Sequence, residues 1–312
     1  MGLIRRIAST DESNLGYEVT SAGMQFIAGH DDVRIRHETD GRPRNVTPEL
    51  RSDSATFTSQ EAIALLNSLK VKAFFEQALM ARVSILIPAL NEAENIKVLL
   101  NNLASILPSM AQVTVVDGGS SDATANIAKA LGARIILQKG TGKGRALRQA
   151  FNGDHAGDIV VIMDADGSNR TEEIPVLIAA IVNGADIAKG SRFLKGGGST
   201  DLSFIRKIGN KFFLSIVNHA WSAEYTDLCY GFMAFKRDPL KRLVPLLKSR
   251  QFQIEVEICI RARRLGMKVV EMPSIELKRR HGVSKLNGVR DSIRIAKTIL
   301  GEALRSLQII RD

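Results

Sequence analysis

From residue 82 onward, short runs of aliphatic and β-branched residues alternate with stretches of helical periodicity, and no other feature of the 312-residue chain narrows its fold as far. The runs are VSILI at 83–87, VTVV at 113–116, RIIL at 134–137, IVVIM at 159–163 and DIAKG at 186–190. Near-continuous apolar strands separated by helices predict an α/β domain whose sheet is largely parallel and covered on both faces. Ligands of such sheets bind beyond the carboxyl ends of the strands. The residues directly after each run are therefore the candidate site.

Ahead of residue 82 the pattern changes. Residues 1–57 are polar, with turn signals at Asp40-Gly41 and Arg42-Pro43 and a short alternation at Val33–Arg36 that predicts a strand or hairpin. Thr58 and Glu61 form a capping box, and Ile63, Leu66, Leu69, Ala73 and Leu79 then recur at helical spacing, predicting a helix over 59–80. The expected organisation is an N-terminal extension at 1–81, a catalytic-type α/β domain at 82–290 and a C-terminal amphipathic helix at 289–312.

Charge is unevenly placed. Residues 1–188 carry 18 basic and 22 acidic side chains, whereas residues 189–312 carry 25 and 11, so the net charge of +10 belongs to the C-terminal part. Such a surface suits nucleic acid, anionic lipid or a phosphorylated substrate. Aromatics at 5% supply few stacking platforms, and no zinc-finger or RNP-like pattern occurs, so nucleic acid is not an expected partner. Cys229 and Cys259 have no metal-ligand spacing and read as free thiols of a reducing compartment. No apolar run approaches the ~18 residues of a membrane span, so the expected location is cytoplasmic, with at most peripheral membrane contact.

Three polar clusters follow the strands: Pro88-Ala89-Leu90-Asn91-Glu92, Asp117-Gly118-Gly119-Ser120-Ser121-Asp122 and Asp164-Ala165-Asp166-Gly167. One such acid serves equally well as a helix cap. Three in succession on one rim of a sheet predict a site. In Asp-x-Asp the pleat places both carboxylates on one side, where they suit a hard divalent cation and leave coordination positions for diphosphate oxygens and water.

In this order, PALNE, VVDGGSSDAT and MDADGS resemble the family-2 glycosyltransferases of the GT-A fold, a Rossmann-like sheet flanked by helices. The likeness continues through Gly142–Ala146, Gly190-Ser191-Arg192-Phe193, TDLCYGFMAF (226–235), EVEICIRARRLGMKVVEMP (255–273) and RRHGVSKLN (279–287). Within the family the chain is most similar to the polyprenyl-phosphate hexose synthases over residues 82–290. That resemblance implies an inverting transferase that moves a hexose from UDP- or GDP-hexose to a polyprenyl phosphate with Mg²⁺ or Mn²⁺. Pro88, Ala89, Asn91, Glu92, Asp117, Gly118, Gly119, Lys143 and Ala165 would then border the nucleotide sugar, with Asp117 accepting from the base. Asp164 and Asp166 would hold the metal. Ser168 stands where the family often carries Gln, which weakens the third metal position. Arg192, Arg206 and Asn210 would meet the acceptor phosphate, and Arg279, Ser284 and Lys285 would close over the donor diphosphate.

The acceptor decides whether a base is needed. A lipid phosphate is already anionic at neutral pH, whereas a sugar hydroxyl must lose a proton to a positioned carboxylate. Asp227 is the candidate for that base, followed by Glu255 and Glu257; with a phosphate acceptor Asp227 would instead position the acceptor or an arginine. Segments 206–221 and 289–308 carry apolar stripes among Lys and Arg that suit an anionic membrane surface, the sheet or a second copy of the chain. A soluble saccharide hydroxyl as acceptor, and a non-catalytic nucleotide-sugar-binding module, are the alternatives.

Overall fold

The computed structural model describes residues 4–7, 16–19, 55–57, 83–107, 111–153, 157–282 and 288–309. Three short strands, β1 (Ile4–Ile7), β2 (Gly16–Val19) and β3 (Ala55–Phe57), form an antiparallel sheet in a region where the sequence predicts little regular structure. The alternation expected at 33–36 and the helix expected at 59–80 lie outside the described residues.

The main sheet has seven strands: β4 (Val83–Ala89), β5 (Gln112–Asp117), β6 (Arg134–Leu137), β7 (Ile159–Ile162), β8 (Ile187–Ser191), β10 (Met233–Lys236) and β11 (Val269–Pro273). Their order is β11-β8-β10-β7-β4-β5-β6. β10 runs antiparallel to both neighbours and every other pairing is parallel. The five strands read from apolar runs are all present. β10 and β11 were not among those runs: β10 has three apolar residues before it ends on Lys236, and β11 is interrupted by Glu271.

Alternation along each strand feeds two cores. On one face Ile85 and Ile87 of β4 pack with Ile96, Leu99 and Leu103 of α1 (Ala93–Ile106), Ala128 of α2 (Thr124–Ala130) and Ile174, Leu177 and Ile178 of α4 (Ile174–Val182). On the other face Leu86 joins Ala146, Leu147 and Ala150 of α3 (Lys143–Phe151), Leu240 and Leu243 of α6 (Arg237–Leu243) and the almost wholly buried α7 (Ile254–Arg264). The same core receives Phe213 and Val217 from α5 (Phe204–Trp221) and Ile295 and Ile299 from α8 (Gly288–Ile309).

The two amphipathic segments are thus helices with two apolar faces. α5 starts at Ser203, whose side chain accepts from the Arg206 amide, and stops at left-handed Ser222. α8 is pinned inward by Glu302, fully buried, which accepts from Arg261 at 2.6 Å and Arg264 at 2.8 Å and also pairs with Arg305. Phe213, Val217, Ile295 and Ile299 point into the core, while Phe204, Ile205, Ile208, Phe212 and Ile216 of α5 and Val289, Ile293, Leu300 and Leu304 of α8 remain exposed. Among the described residues no helix is long and apolar enough to cross a membrane. A further two-stranded parallel pair, β9 (Gly198–Ser199) with β12 (Ile275–Glu276), brings Glu276 to the edge of the site described next.

Strand register builds the rim. Ala89 lies opposite Asp117 and Asp117 opposite Leu137, so the loops after β4, β5 and β6 leave the sheet side by side. Leu86 lies opposite Ile162, which delivers Asp164 to the same edge.

Candidate active site

A cavity of about 730 Å³ opens at this edge and extends between α5 and the start of α8. Of the residues expected at the site, Pro88, Ala89, Glu92, Gly118 and Lys143 line it. So do Asp164, Ala165, Asp166, Ser168, Arg192, Arg206, Asn210 and Arg279. Asn91, Asp117, Gly119 and Asp227 do not, and Ser284 and Lys285 lie outside the described residues.

Asn91 and Gly119 are exposed, whereas Asp117 and Asp227 are buried. Asn91 has a left-handed backbone (φ 54°), and its Oδ1 accepts from the Ser121 amide while its own amide donates to Ser120 Oγ, so it ties the first loop to the second. Asp117 is buried, and its carboxylate accepts from the Gly119 and Ser120 amides and from the Ser120 hydroxyl at 2.5 Å. These bonds fix the carboxylate in the turn that follows β5. Gly119 supplies the positive φ (86°) that the turn requires.

One wall carries four ion pairs, two on Lys143 and two on Arg279. Lys143, at the N-terminus of α3, places Nζ 2.5 Å from Asp164 and 2.7 Å from Glu255 of α7. Burial alone would depress the ammonium, but these two carboxylates outweigh it and hold its pKa above the ordinary lysine value. Arg279 donates to both oxygens of Glu92 at 2.9 Å and approaches Asp166 at 3.3 Å. Asp166 also accepts from the Ser168 amide at 3.0 Å, so Ser168 shapes the turn through its backbone.

This donor set suits a divalent cation. Among the described residues the four carboxylates Glu92, Asp164, Asp166 and Glu255 pair with two cations, Lys143 and Arg279. Asp164 and Asp166 are its partly exposed members, and carboxylate oxygen is the ligand that hard cations prefer. Among the described residues no group of three or more His, Cys, Asp or Glu converges as a closed metal cage. Asp164 and Asp166 supply two carboxylates, fewer than such a cage holds.

Across the cavity stands Arg192, directly after β8. Its Nε and Nη2 donate to Asp227 at 2.7 and 2.9 Å, and its Nη1 donates to Glu276 at 3.1 Å. Its guanidinium stacks 4.9 Å from the Tyr230 ring. Asp227 is fully buried and also accepts from the Arg192 and Cys229 amides. Burial would raise its pKa, yet Lys189 and Arg192 outweigh that and hold the carboxylate below its ordinary range. Asp227 does not line the cavity, and a carboxylate held below its ordinary pKa is a poorer proton acceptor, so this geometry fits the expected positioning of an arginine better than the expected base.

The other candidate bases divide as well. Glu255 faces Lys143 in the cavity, whereas Glu257 is buried behind it, accepting from the Lys248 and Ser249 amides and from Arg261.

Toward α5, Arg206 lies 3.8 Å from Asp201. Asn210, one turn on and 4% exposed, accepts from the Leu228 amide through Oδ1, while its Nδ2 has no partner. An unpaired buried donor costs about 1–3 kcal/mol. On a cavity wall such a group is an available anchor for an oxygen ligand. Leu202, Ile205, Phe213, Val289 and Ile293 form the apolar end of the same cavity.

Sequence reading missed Glu276 and Tyr230, which complete the Arg192 environment, and the buried pair Lys189 and Glu271 behind Asp227. Tyr230 lay within a recognised segment, but nothing in its spacing announces a ring beneath an arginine.

The family model for glycosyl transferase family 2 matches residues 84–244. The chain is 30% identical over 216 residues to glycosyltransferase AglJ of Haloferax volcanii, covering 67% of this chain and 68% of the relative. It is 34% identical to the dolichol-phosphate mannosyltransferase of Pyrococcus furiosus over 66% of this chain and 60% of that protein. It is 30% identical to the polyprenol monophosphomannose synthase of Mycolicibacterium smegmatis, covering 66% and 82%. Among solved structures, glucosyl-3-phosphoglycerate synthase from Mycobacterium tuberculosis, crystallised with Mn²⁺ and UDP among other ligands, shares the fold at a TM-score of 0.59 and 22% identity over 73% of this chain and 82% of that one. The chain belongs to glycosyl transferase family 2 and is a glycosyl-transferring enzyme of the GT-A fold.

Proposed function

We propose that the chain transfers a hexose from UDP- or GDP-hexose to a polyprenyl phosphate, with inversion at the anomeric carbon. The observation that carries this reading is the two-ended cavity: an acidic, cation-crossed wall suited to a metal-bound diphosphate, and an apolar end beside Arg206 and the unpaired Asn210 amide. The names of the relatives, mannosyl transfer to dolichol or polyprenol phosphate among them, agree with it.

Asp164 and Asp166 would hold Mg²⁺ or Mn²⁺, which supplies positive charge to the departing diphosphate. Lys143 and Arg279 would turn from their carboxylate partners toward diphosphate oxygens. A phosphate oxygen of the acceptor forms the new bond to C1 as the bond from C1 to the diphosphate breaks, and the nucleoside diphosphate leaves with the electron pair. No proton has to move, because an alkyl phosphate with a second pKa near ~6 is already ionised. Asn210 and Arg206 would donate to that phosphate. Arg192 would join them as Glu276, its more exposed carboxylate partner, yields.

The exposed apolar faces of α5 and α8 border the apolar end of the cavity, with Lys207, Lys211 and Lys297 exposed beside them. This arrangement fits an anionic lipid surface that presents the acceptor. Replacing Phe204, Ile208 and Phe212, exposed residues outside the cavity lining, together by Ser is expected to reduce binding to phosphatidylglycerol vesicles at least about tenfold, since each buried CH₂ is worth ~0.8 kcal/mol. Turnover of a short-chain, water-soluble acceptor should stay within about twofold of wild type. Equal vesicle binding would remove the membrane assignment.

The decisive assay incubates the protein and Mn²⁺ with UDP-glucose or GDP-mannose, with and without polyprenyl phosphate. Lipid-dependent release of nucleoside diphosphate with formation of a lipid-phosphate hexose is expected. Release indifferent to the lipid would overturn the acceptor assignment.

A further inference from the structure

Asn169 and Tyr230 join the backbone of Asp164 on one wall to Arg192 on the other. Asn169, 3% exposed, accepts from the Asp164 amide through Oδ1 at 2.7 Å and donates from Nδ2 to Tyr230 Oη at 3.1 Å. The amide cannot be turned over, because only its carbonyl oxygen can accept from a backbone N–H. The far face of the Tyr230 ring carries the Arg192 guanidinium at 4.9 Å.

The ring is wedged as well as bonded. Tyr230 is 2% exposed, and a Cβ at Gly190 would come within 2.8 Å of its Cε1, so β8 makes room for it only with glycine at that position. The Tyr230 and Ser274 hydroxyls lie 3.1 Å apart, and Ser274 donates to Glu173 at 2.5 Å. The ring on which Arg192 rests is thus bonded, through Asn169, to the backbone of Asp164.

We propose that Asn169 and Tyr230 act as one strut that sets the spacing between the donor diphosphate held at Asp164 and the nucleophile held at Arg192. Neither residue touches the reacting atoms in this account; both are positioning residues. In-line displacement is sensitive to such spacing, since a misplacement of ~1 Å costs about 10²-fold in rate. The proposal rests on the transfer reaction proposed above for its substrates, but not for its geometry.

Tyr230→Phe keeps the ring under Arg192 and removes only the hydroxyl joint. It is expected to lower kcat about tenfold while acceptor KM and Mn²⁺-nucleotide affinity stay within about twofold, and to raise the fraction of donor hydrolysed by water. Asn169→Ala should lower kcat by a similar or larger factor. The double variant should be no slower than Asn169→Ala alone, because a strut cut at one joint has nothing left to lose at the other. Tyr230→Leu, which also removes the stacking surface, should in addition raise acceptor KM. Should Asn169→Ala fail to fold, the comparison of Tyr230→Phe with Tyr230→Leu carries the test: a kcat loss without a KM change in the first and both changes in the second.

An unchanged kcat in Tyr230→Phe, multiplying losses in the double variant, or a lowered melting temperature with intact kinetics would each overturn the strut. Transfer by the wild type to a sugar hydroxyl and not to polyprenyl phosphate would overturn the acceptor reading alone, and the same variants then report on the strut with that hydroxyl acceptor.

Discussion

Asp166→Asn is expected to lower kcat by about 10²- to 10³-fold while the protein stays folded, the scale on which one electrostatic contact to a developing charge acts. The fold should tolerate the change because Asp166 is a lightly used side chain. It accepts from the Ser168 amide at 3.0 Å, which an asparagine Oδ1 can still do, and its contact with Arg279 at 3.3 Å is secondary to the paired bonds from Arg279 to Glu92. What the substitution removes is one of the two partly exposed negative charges on the donor wall. Binding of Mn²⁺ with UDP or GDP, followed by calorimetry, should weaken by at least tenfold, a loss of about 1.4 kcal/mol. Nucleotide binding in EDTA should be the same in variant and wild type. Asp164→Asn should behave differently in one respect: it frees Lys143 from its 2.5 Å partner and leaves Glu255 as the remaining carboxylate on that ammonium. A metal-dependent rate within about threefold of wild type in Asp166→Asn would remove the cation from the proposed mechanism.

How much of this was legible in the sequence depends on how local the signal is. The five apolar runs, the rim loops that follow them and the Asp-x-Asp pair were readable because strand propensity and strand-end position are local properties. Antiparallel β10, inserted between β7 and β8, was not, since its four residues carry no periodicity of their own and their partners lie more than forty residues away in the chain. The two apolar helices were readable as amphipathic, but which stripe faces the core depended on packing: Phe213 is buried and its neighbour Phe212 exposed. Roles carried by pairing were the least visible. Asp117 and Asp227 both read as ligand-facing acids; in the fold one accepts from a turn and the other from an arginine, partners that no local pattern announces.

Asp227→Asn is expected to destabilise the protein by about 3–5 kcal/mol at neutral pH, the cost of leaving a buried charge without its partner. The neighbourhood explains the size. Asp227 is fully buried, with Arg192 bonded to both oxygens and Lys189 close enough to depress its pKa, and Lys189 is itself fully buried with Glu271 at 3.8 Å. Asparagine preserves the shape and one acceptor but leaves two buried cations facing Glu271 and Glu276 alone. The pH dependence has a definite sign: a carboxylate with a depressed folded pKa adds stability that is complete above its unfolded value near ~3.9 and is lost as pH falls through the lower folded value. Wild-type stability should therefore fall off below about pH 4, and the gap between wild type and Asp227→Asn in urea unfolding should narrow there. A gap constant from pH 7 to pH 2 would show that the carboxylate charge is not what stabilises the site. Turnover separates positioning from proton abstraction. With Arg192 loosened, acceptor KM should rise and kcat fall, but a measurable rate should persist near neutral pH, because a phosphate nucleophile needs no base. Complete loss of turnover in a folded variant that still binds donor would return Asp227 to the reacting atoms and the acceptor to a hydroxyl.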